Sequence, residues 1–351
     1  MNQFKIEMPS SRCPECPLFT RLQHFVPATR VKGAEIAIVG EAPGEEEVKQ
    51  RTGFVGKAGQ FLDKRLKEVN LRRETVTITN VLKCRPENNK LPDDLDLAID
   101  CCSEILEKDL EGTKVIIGLG NVPLKALTGY SKITYRRGSV YELYGGKLGG
   151  KLFVGTIHPS AMLRYFFAKK NKPGDAVFVP PKEIINADLK RAMGLVKMWP
   201  FKPQLPKFYL YPTTEDMSHF LRRASVEEDL MGVDIETSME EKPEFCIPNI
   251  ISFSFDDEVL VASFEDDLEF IVEMLKSPVR KTFHNGAIFD IYVLEGYGFT
   301  VNNYFFDTQY GHHTAYSELP HKLWFVQSLY TFVPYHKDLA TESDFMDDFD
   351  K

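Results

Sequence analysis

Short apolar runs recur through the first two hundred positions, at Ile36–Val39, Val76–Val81, Val115–Leu119 and Leu152–Ile157. Between them the apolar residues shift to helical spacing, over 57–70 (Phe61, Leu62, Leu66, Val69), 95–110 and 121–128. Uniformly apolar strands alternating with amphipathic helices predict a largely parallel α/β sheet. Ligands bind such sheets at the carboxyl ends of the strands. Polar residues stand at those ends: Glu41 after the first run, Asn80 near the end of the second, and His158-Pro159-Ser160 after the last. A further helical pattern, 183–197, leads into three prolines within seven residues (Pro200, Pro203, Pro206), which mark a stiff linker. Beyond it the pattern predicts a strand at Phe208–Leu210, a helix over 214–223, and a strand holding Asp234 and Glu236. In a strand those two acids point to the same face.

Two domains are the natural count for 351 residues. No run approaches the ~18 apolar residues of a membrane span. The first residues lack an apolar signal core, so a cytoplasmic protein is expected. Charge is uneven. Residues 1–200 carry 32 Lys/Arg against 23 Asp/Glu, a net +9, and the remainder carries 11 against 28, a net −17. A basic half suits a polyanion such as nucleic acid. Six cysteines in a cytoplasmic chain suggest metal binding or packing rather than disulfides.

The densest chemistry lies in Gly40–Gly59, GEAPGEEEVKQRTGFVGKAG. Strand, glycine-rich loop and helix is the layout of a site where backbone approaches a ligand closely. It is not an NTPase phosphate loop: Gly56-Lys57-Ala58 lacks the Ser/Thr and the earlier glycine, and four glutamates would repel phosphate.

GEAPGEEE…GFVGKAG, TNVLKCRP, KVIIGLGNVPLKAL and TIHPSAMLR, in that order between about Cys13 and Met193, resemble the iron–sulfur uracil-DNA glycosylases, family 4 of that superfamily. The sequence departs from the family at Val48, where an acid is usual, and at Arg51-Thr52-Gly53, where glycine–x–proline is usual. The resemblance implies a three-layer α/β/α domain that excises uracil. The base must first leave the stack. Phe54 would supply the aromatic face, the Asn80 amide would pair with the base edge, and His158 would donate to the leaving uracil anion. Glu41, with Glu47 second, would orient water or stabilise the sugar cation. Met162 and Leu163 would wedge into the gap, and Arg164 with Lys169, Lys170 and Lys172 would hold phosphates.

The cysteines follow. Cys13, Cys16 and Cys84 are joined by one of Cys101 and Cys102. Four thiolates suit [4Fe–4S] or zinc on ligand type alone. The resemblance favours the [4Fe–4S] cluster, and the family's leucine four residues on (Leu106) favours Cys102, with Cys101 the alternative.

In the second half, Asp234-Ile-Glu236-Thr237 and Asn285…Phe289-Asp290 resemble the first two motifs of the DEDD 3′→5′ proofreading exonucleases, over about 207–330. The resemblance implies an incomplete ribonuclease-H-like α/β domain in which Asp234, Glu236 and Asp290 hold Mg²⁺. Asp307 falls where the family has a structural aspartate. The third motif, Tyr-x-x-x-Asp, is missing, since Tyr335-His-Lys-Asp338 is one residue short.

The expected organisation is therefore 1–197 glycosylase-like, 198–206 linker, 207–335 exonuclease-like and 336–351 an acidic tail. This order resembles the N-terminal part of phage A-type DNA polymerases, and a split or truncated gene with a partner polymerase chain is the expectation. The expected partner is uracil-containing DNA, with no membrane, in a host cytoplasm if phage-encoded. The competing reading is a catalytically degenerate DNA-docking module.

Overall fold

The computed structural model describes residues 9–168, 182–202, 206–238, 246–317 and 319–332. They form two compact units, one of residues up to Pro203 with those from Gln327 on, the other Gln204–Val326. The first break lies inside the proline-rich linker. Gln327–Phe332 pack with the first unit, although the sequence reading assigns them to the second domain. Phe332, for example, stacks on Phe201 at 4.8 Å.

The strands of the first unit are β1 Ile36–Gly40, β2 Val76–Asn80, β3 Val115–Leu119, β4 Val140–Glu142 and β5 Leu152–Thr156. Its helices are α1 Glu45–Gln50, α2 Lys57–Glu68, α3 Leu95–Asp109, α4 Asn121–Thr128, α5 Ile133–Arg136, α6 Pro159–Ala168 and α7 Lys182–Lys197. The sheet runs β2-β1-β3-β5-β4, parallel but for β4, which pairs antiparallel with β5. Every residue of β1, β2, β3 and β5 is buried. Continuous apolar strands need helices on both faces, as a parallel sheet requires. The parallel α/β/α expectation is borne out. In the β1–β2 register Gly40 lies opposite Asn80, so both strands end together and present the Gly40–Gly59 loop beside Asn80.

The second unit contains β6 Lys207–Tyr209, α8 Thr214–Ala224, β7 Leu230–Thr237, β8 Pro248–Phe255, β9 Glu258–Ser263, α9 Leu268–Lys276, β10 Arg280–Phe283, α10 Asp290–Gly296, β11 Tyr304–Asp307, α11 Thr308–Ala315 and the start of α12, Leu323–Tyr330. Its sheet runs β11-β10-β7-β8-β9-β6. The β7-β8-β9 meander is antiparallel, while β10 and β11 add in parallel on the other side of β7. That is the ribonuclease-H-like order with β6 as an extra edge strand. Burial alternates along β7 and β8, the mark of a sheet covered on one face. Among the described residues no helix is long and apolar enough to cross a membrane.

Candidate active site

The site grows from the end of β1. A Cβ on Gly40 would lie 2.3 Å from Phe54 Cζ and 2.4 Å from Asn80 Oδ1. Only a residue without a side chain lets the ring and the amide meet there. Phe54 is 5% exposed and has a left-handed backbone, φ 54°, a conformation that a bulky residue adopts only when its surroundings impose it. Those surroundings are two polar clamps. Glu47 Oε1 accepts the N–H groups of Val55 (3.0 Å) and Gly56 (2.9 Å). Arg73 donates to the carbonyl of Phe54 at 2.9 Å and to that of Gly53. Gly59 lets the turn close, because a Cβ there would meet Phe54 O at 1.9 Å.

Glu47 is thus a buried structural carboxylate at the start of α2, where a negative charge is favoured. Glu47, the second candidate acid of the sequence reading, thus has its Oε1 engaged by backbone donors. Glu41 differs. It is half-buried, and among the described residues its carboxylate makes no hydrogen bond. Burial pushes its pKa up, opposed by the charge of Arg164.

His158 follows β5, with its ring centroid 6.2 Å from that of Phe54. Its Nδ1 accepts the Ser160 N–H at 3.1 Å and lies 2.7 Å from Ser160 Oγ. An atom accepting a backbone N–H carries no proton, so the neutral ring holds its hydrogen on Nε2. Burial, aided by Arg164, lowers the His158 pKa to about 4. Gly120 at φ +92° makes room beside it, since a Cβ there would sit 3.1 Å from His158 Cβ.

On α6, Arg164 is exposed and Leu163 half-buried, whereas Met162 is fully buried in the core. A wedge must reach the surface, so of the two expected wedge residues the exposure favours Leu163. Lys169, Lys170 and Lys172 lie outside the described residues. Arg73 and Gly120 do not stand out in the sequence, and Ser160 stands out there only as part of the polar cluster after the last strand, without a role. The S in HPS was the one visible signal, as a serine two residues after a histidine can hydrogen-bond it locally.

A small pocket open to solvent is lined by Cys13, Cys16, Cys84, Cys101 and Cys102 with apolar neighbours such as Leu22 and Ile105. Burial and the neighbouring Cys102, Cys16 and Cys13 push the Cys84 thiol up to about 12. Cys102 feels Cys13 and accepts a backbone hydrogen bond from Lys83. Cys16 Sγ accepts the Leu18 N–H at 3.4 Å. Backbone donors aimed at sulfur suit thiolate ligands. Cys101 instead faces Cys16, Arg12 and Glu15. Among the described residues no three His, Cys, Asp or Glu side chains close around a single ion. Thiolate donors of this kind suit zinc or an iron–sulfur cluster on ligand type alone.

In the second unit Asp290 opens α10, is 4% exposed, and accepts the Ile235 N–H at 3.0 Å. Burial, with the charges of Asp234 and Asp307, raises its pKa to about 7. Asp234 and Glu236 are exposed on β7. The charge of Asp234 acts on Asp290. The Asp307 carboxylate is engaged by the N–H groups of Asn285, Gly286, Gln309 and Tyr310. Tyr335 and Asp338 lie outside the described residues.

Comparison with known proteins places this geometry in context. Residues 27–178 match the family model "Uracil DNA glycosylase superfamily". The type-4 uracil-DNA glycosylase of Thermotoga maritima is 35% identical over 190 residues, 53% of this chain and 90% of that protein. A DNA polymerase of Bacillus phage SP01 is 34% identical over 139 residues, 38% of this chain and 14% of the polymerase. Among solved structures, the catalytic core of RRP6 from Trypanosoma brucei aligns with a TM-score of 0.33 at 17% identity, covering 40% of this chain and 41% of that one.

Proposed function

The chain belongs to the type-4 uracil-DNA glycosylases, hydrolases of the N-glycosidic bond, and we propose that its first unit carries out uracil excision with Glu41, Phe54, Asn80 and His158. The observation that carries this assignment is the convergence of the Phe54 ring on the Asn80 amide across Gly40 and on the His158 ring.

The flipped uracil stacks on Phe54 and pairs its edge with the Asn80 amide, which offers donor and acceptor together. The N-glycosidic bond breaks with its electron pair going to uracil. His158 Nε2–H faces the developing negative charge as a neutral donor, and Ser160 holds the tautomer. Water adds to the sugar carbon and loses a proton, which ends on the departed uracil anion, and the Glu41 carboxylate orients that water and stabilises the cationic sugar. Arg164, which acts on both Glu41 and His158, sits at the rim to take the neighbouring phosphate. Cys13, Cys16, Cys84 and Cys102 would hold a [4Fe–4S] cluster, and through it the N-terminal segment would be joined to α3 and to the loop after β2.

The second unit supports a further reading, an exonuclease-like module in which Asp234, Glu236 and Asp290 meet a divalent ion weakly. Its sheet order and the Asp234–Asp290 pair favour this. Without a Tyr-x-x-x-Asp motif the chain by itself should degrade little DNA. The phage polymerase match suggests a polymerase as working partner.

The test is excision from single-stranded and duplex oligonucleotides carrying one uracil, read as alkali-labile sites. Cleavage by the wild type, lost on Glu41→Gln and falling ~10²–10³-fold on His158→Ala, supports the assignment. Binding of the same DNA without any excision would leave a docking module instead.

A further inference from the structure

The first unit buries a cation that the proposed chemistry does not use. Lys83 lies between Asn80 and Cys84, and its side chain is 1% exposed. Its Nζ donates to Asp109 Oδ2, to Thr79 Oγ1 and to the main-chain carbonyl of Asn80, each at 2.6 Å. Those three acceptors use all three protons of the ammonium. Thr79 Oγ1 donates to Asp109 Oδ2 at 2.8 Å, closing the network. Asp109 is the last residue of α3, the helix that carries Cys102. Lys83 also lines the cysteine cavity. A buried ion pair is a poor way to gain stability, because apolar residues of similar size often serve as well. Its distinctive property is direction, since it holds one particular carbonyl.

We propose that Lys83, held by Asp109 and Thr79, is a positioning residue for base recognition that fixes Asn80 from the side of the cysteine cavity. The peptide following Asn80 is pinned at both ends. Lys83 takes its carbonyl, and Gly40 O takes the Val81 N–H at 2.9 Å. With that peptide locked, the Asn80 amide has one approach to the base. One side chain then joins the cluster cavity to the pocket, so discrimination between uracil and cytosine depends on a residue that touches neither base nor cluster sulfur with its ammonium. This rests on the reading of Asn80 given above.

Lys83→Met alone leaves Asp109 buried without its cation and risks unfolding. The informative variant is Lys83→Met with Asp109→Leu, which removes both charges and keeps the volume. Binding of single-stranded oligonucleotides that differ only in uracil or cytosine is measured by fluorescence anisotropy, beside melting temperature, visible cluster absorbance and single-turnover excision. The folded, coloured double variant is expected to lose ~10-fold of its uracil-over-cytosine preference, with its excision rate at saturating enzyme reduced far less. An unchanged preference in that variant overturns the proposal. If the double variant does not fold, Thr79→Val, which removes one anchor and no charge, decides in the same assay: a smaller loss of preference supports the role, and no loss overturns it. Absence of excision by the wild type is a separate failure, that of the glycosylase assignment, and leaves the binding comparison readable.

Discussion

Replacing Gly40 by alanine is the sharpest probe of the pocket. The new methyl would stand 2.3 Å and 2.7 Å from two carbons of the Phe54 ring and 2.4 Å from Asn80 Oδ1. Non-bonded carbons rest at ~3.5–4.0 Å, so the ring and the amide must each withdraw by about 1 Å. Neither is free to do so. Phe54 is held in its left-handed turn by Glu47 and Arg73, and Asn80 closes β2 under the Lys83 clamp. Crowding of this kind costs ~1–3 kcal/mol of stability, and a 1 Å misplacement of reacting groups costs up to ~10²-fold in rate. The expected result is a single-turnover excision rate roughly 100-fold down with a modest fall in melting temperature. Affinity for DNA without uracil should be unchanged. Gly194→Ala is the control, since a Cβ on that α7 residue meets nothing within 4 Å. It should leave the rate alone and raise stability by ~0.5–1 kcal/mol. A Gly40→Ala enzyme within twofold of wild type would refute the convergence of Phe54 and Asn80 on the base.

Three further expectations follow from other parts of the molecule. His158 has a folded pKa of about 4, below its ordinary 6.5, so it is neutral throughout pH 5–8. The excision rate should therefore show no inflection near 6.5, and a His-like inflection there would remove the neutral-donor role. Because the pKa is depressed, the stability that the neutral ring contributes is present above 6.5 and is lost as pH falls toward 4. Cys102→Ser should bleach the visible absorbance more than Cys101→Ser, because Cys102 faces Cys13 and Cys84 while Cys101 faces Cys16, Arg12 and Glu15. Equal bleaching would leave the fourth ligand unassigned to either. Asp290 has its pKa raised to about 7, so its protonated form favours folding below the unfolded value of ~3.9 and that advantage disappears as pH rises through 7. Asp290→Asn keeps an oxygen for the Ile235 N–H and removes the buried charge. It should stabilise the second unit at pH 8 without divalent ions by ~1–3 kcal/mol, an advantage that vanishes at pH 4. A lower melting temperature at pH 8 would contradict it.

Much of the fold was legible because the parallel strands of the first unit are buried on both faces and read as unbroken apolar runs. Their ends fall within a residue or two of those seen: Val76–Asn80 against Val76–Val81, and Leu152–Thr156 against Leu152–Ile157. Position at a strand end also singled out Asn80 and His158. The short elements escaped, α1 and β4 among them, because six or three residues carry too little periodicity. Glu47 was legible as an acid in the right loop but not as a backbone clamp. That role exists only once the turn at Phe54 brings two N–H groups, eight and nine residues on, to one oxygen. The burial of Met162 beside the half-buried Leu163 was not legible for a related reason: adjacent helical residues face different ways, and nothing in HPSAMLR says which face of α6 meets the core. The Lys83 network was invisible, as a lysine in a cysteine motif reads as a surface charge until β2 and α3 enclose it.

The two units treat their carboxylates by one physical rule. Glu47 and Asp307 are buried acids whose oxygens accept two and four backbone N–H groups. Such acids hold turns, and their charge is already compensated. Glu41 and Asp290 lie in the same loops or beside them, yet Glu41 has no hydrogen bond among the described residues and Asp290 accepts that of Ile235. Both have their pKa pushed up by burial. An acid left under-compensated gains most from a positive charge arriving from outside. In the role proposed for Glu41 that charge is the sugar cation formed as uracil departs, which exists only along the reaction path, so the contact would lower the barrier rather than the ground state. For Asp290, with Asp234 beside it, the natural counter-charge is a divalent ion held through oxygen ligands. The neighbouring structural acid in each unit cannot substitute, because taking up the new charge would release the turn that shapes the site.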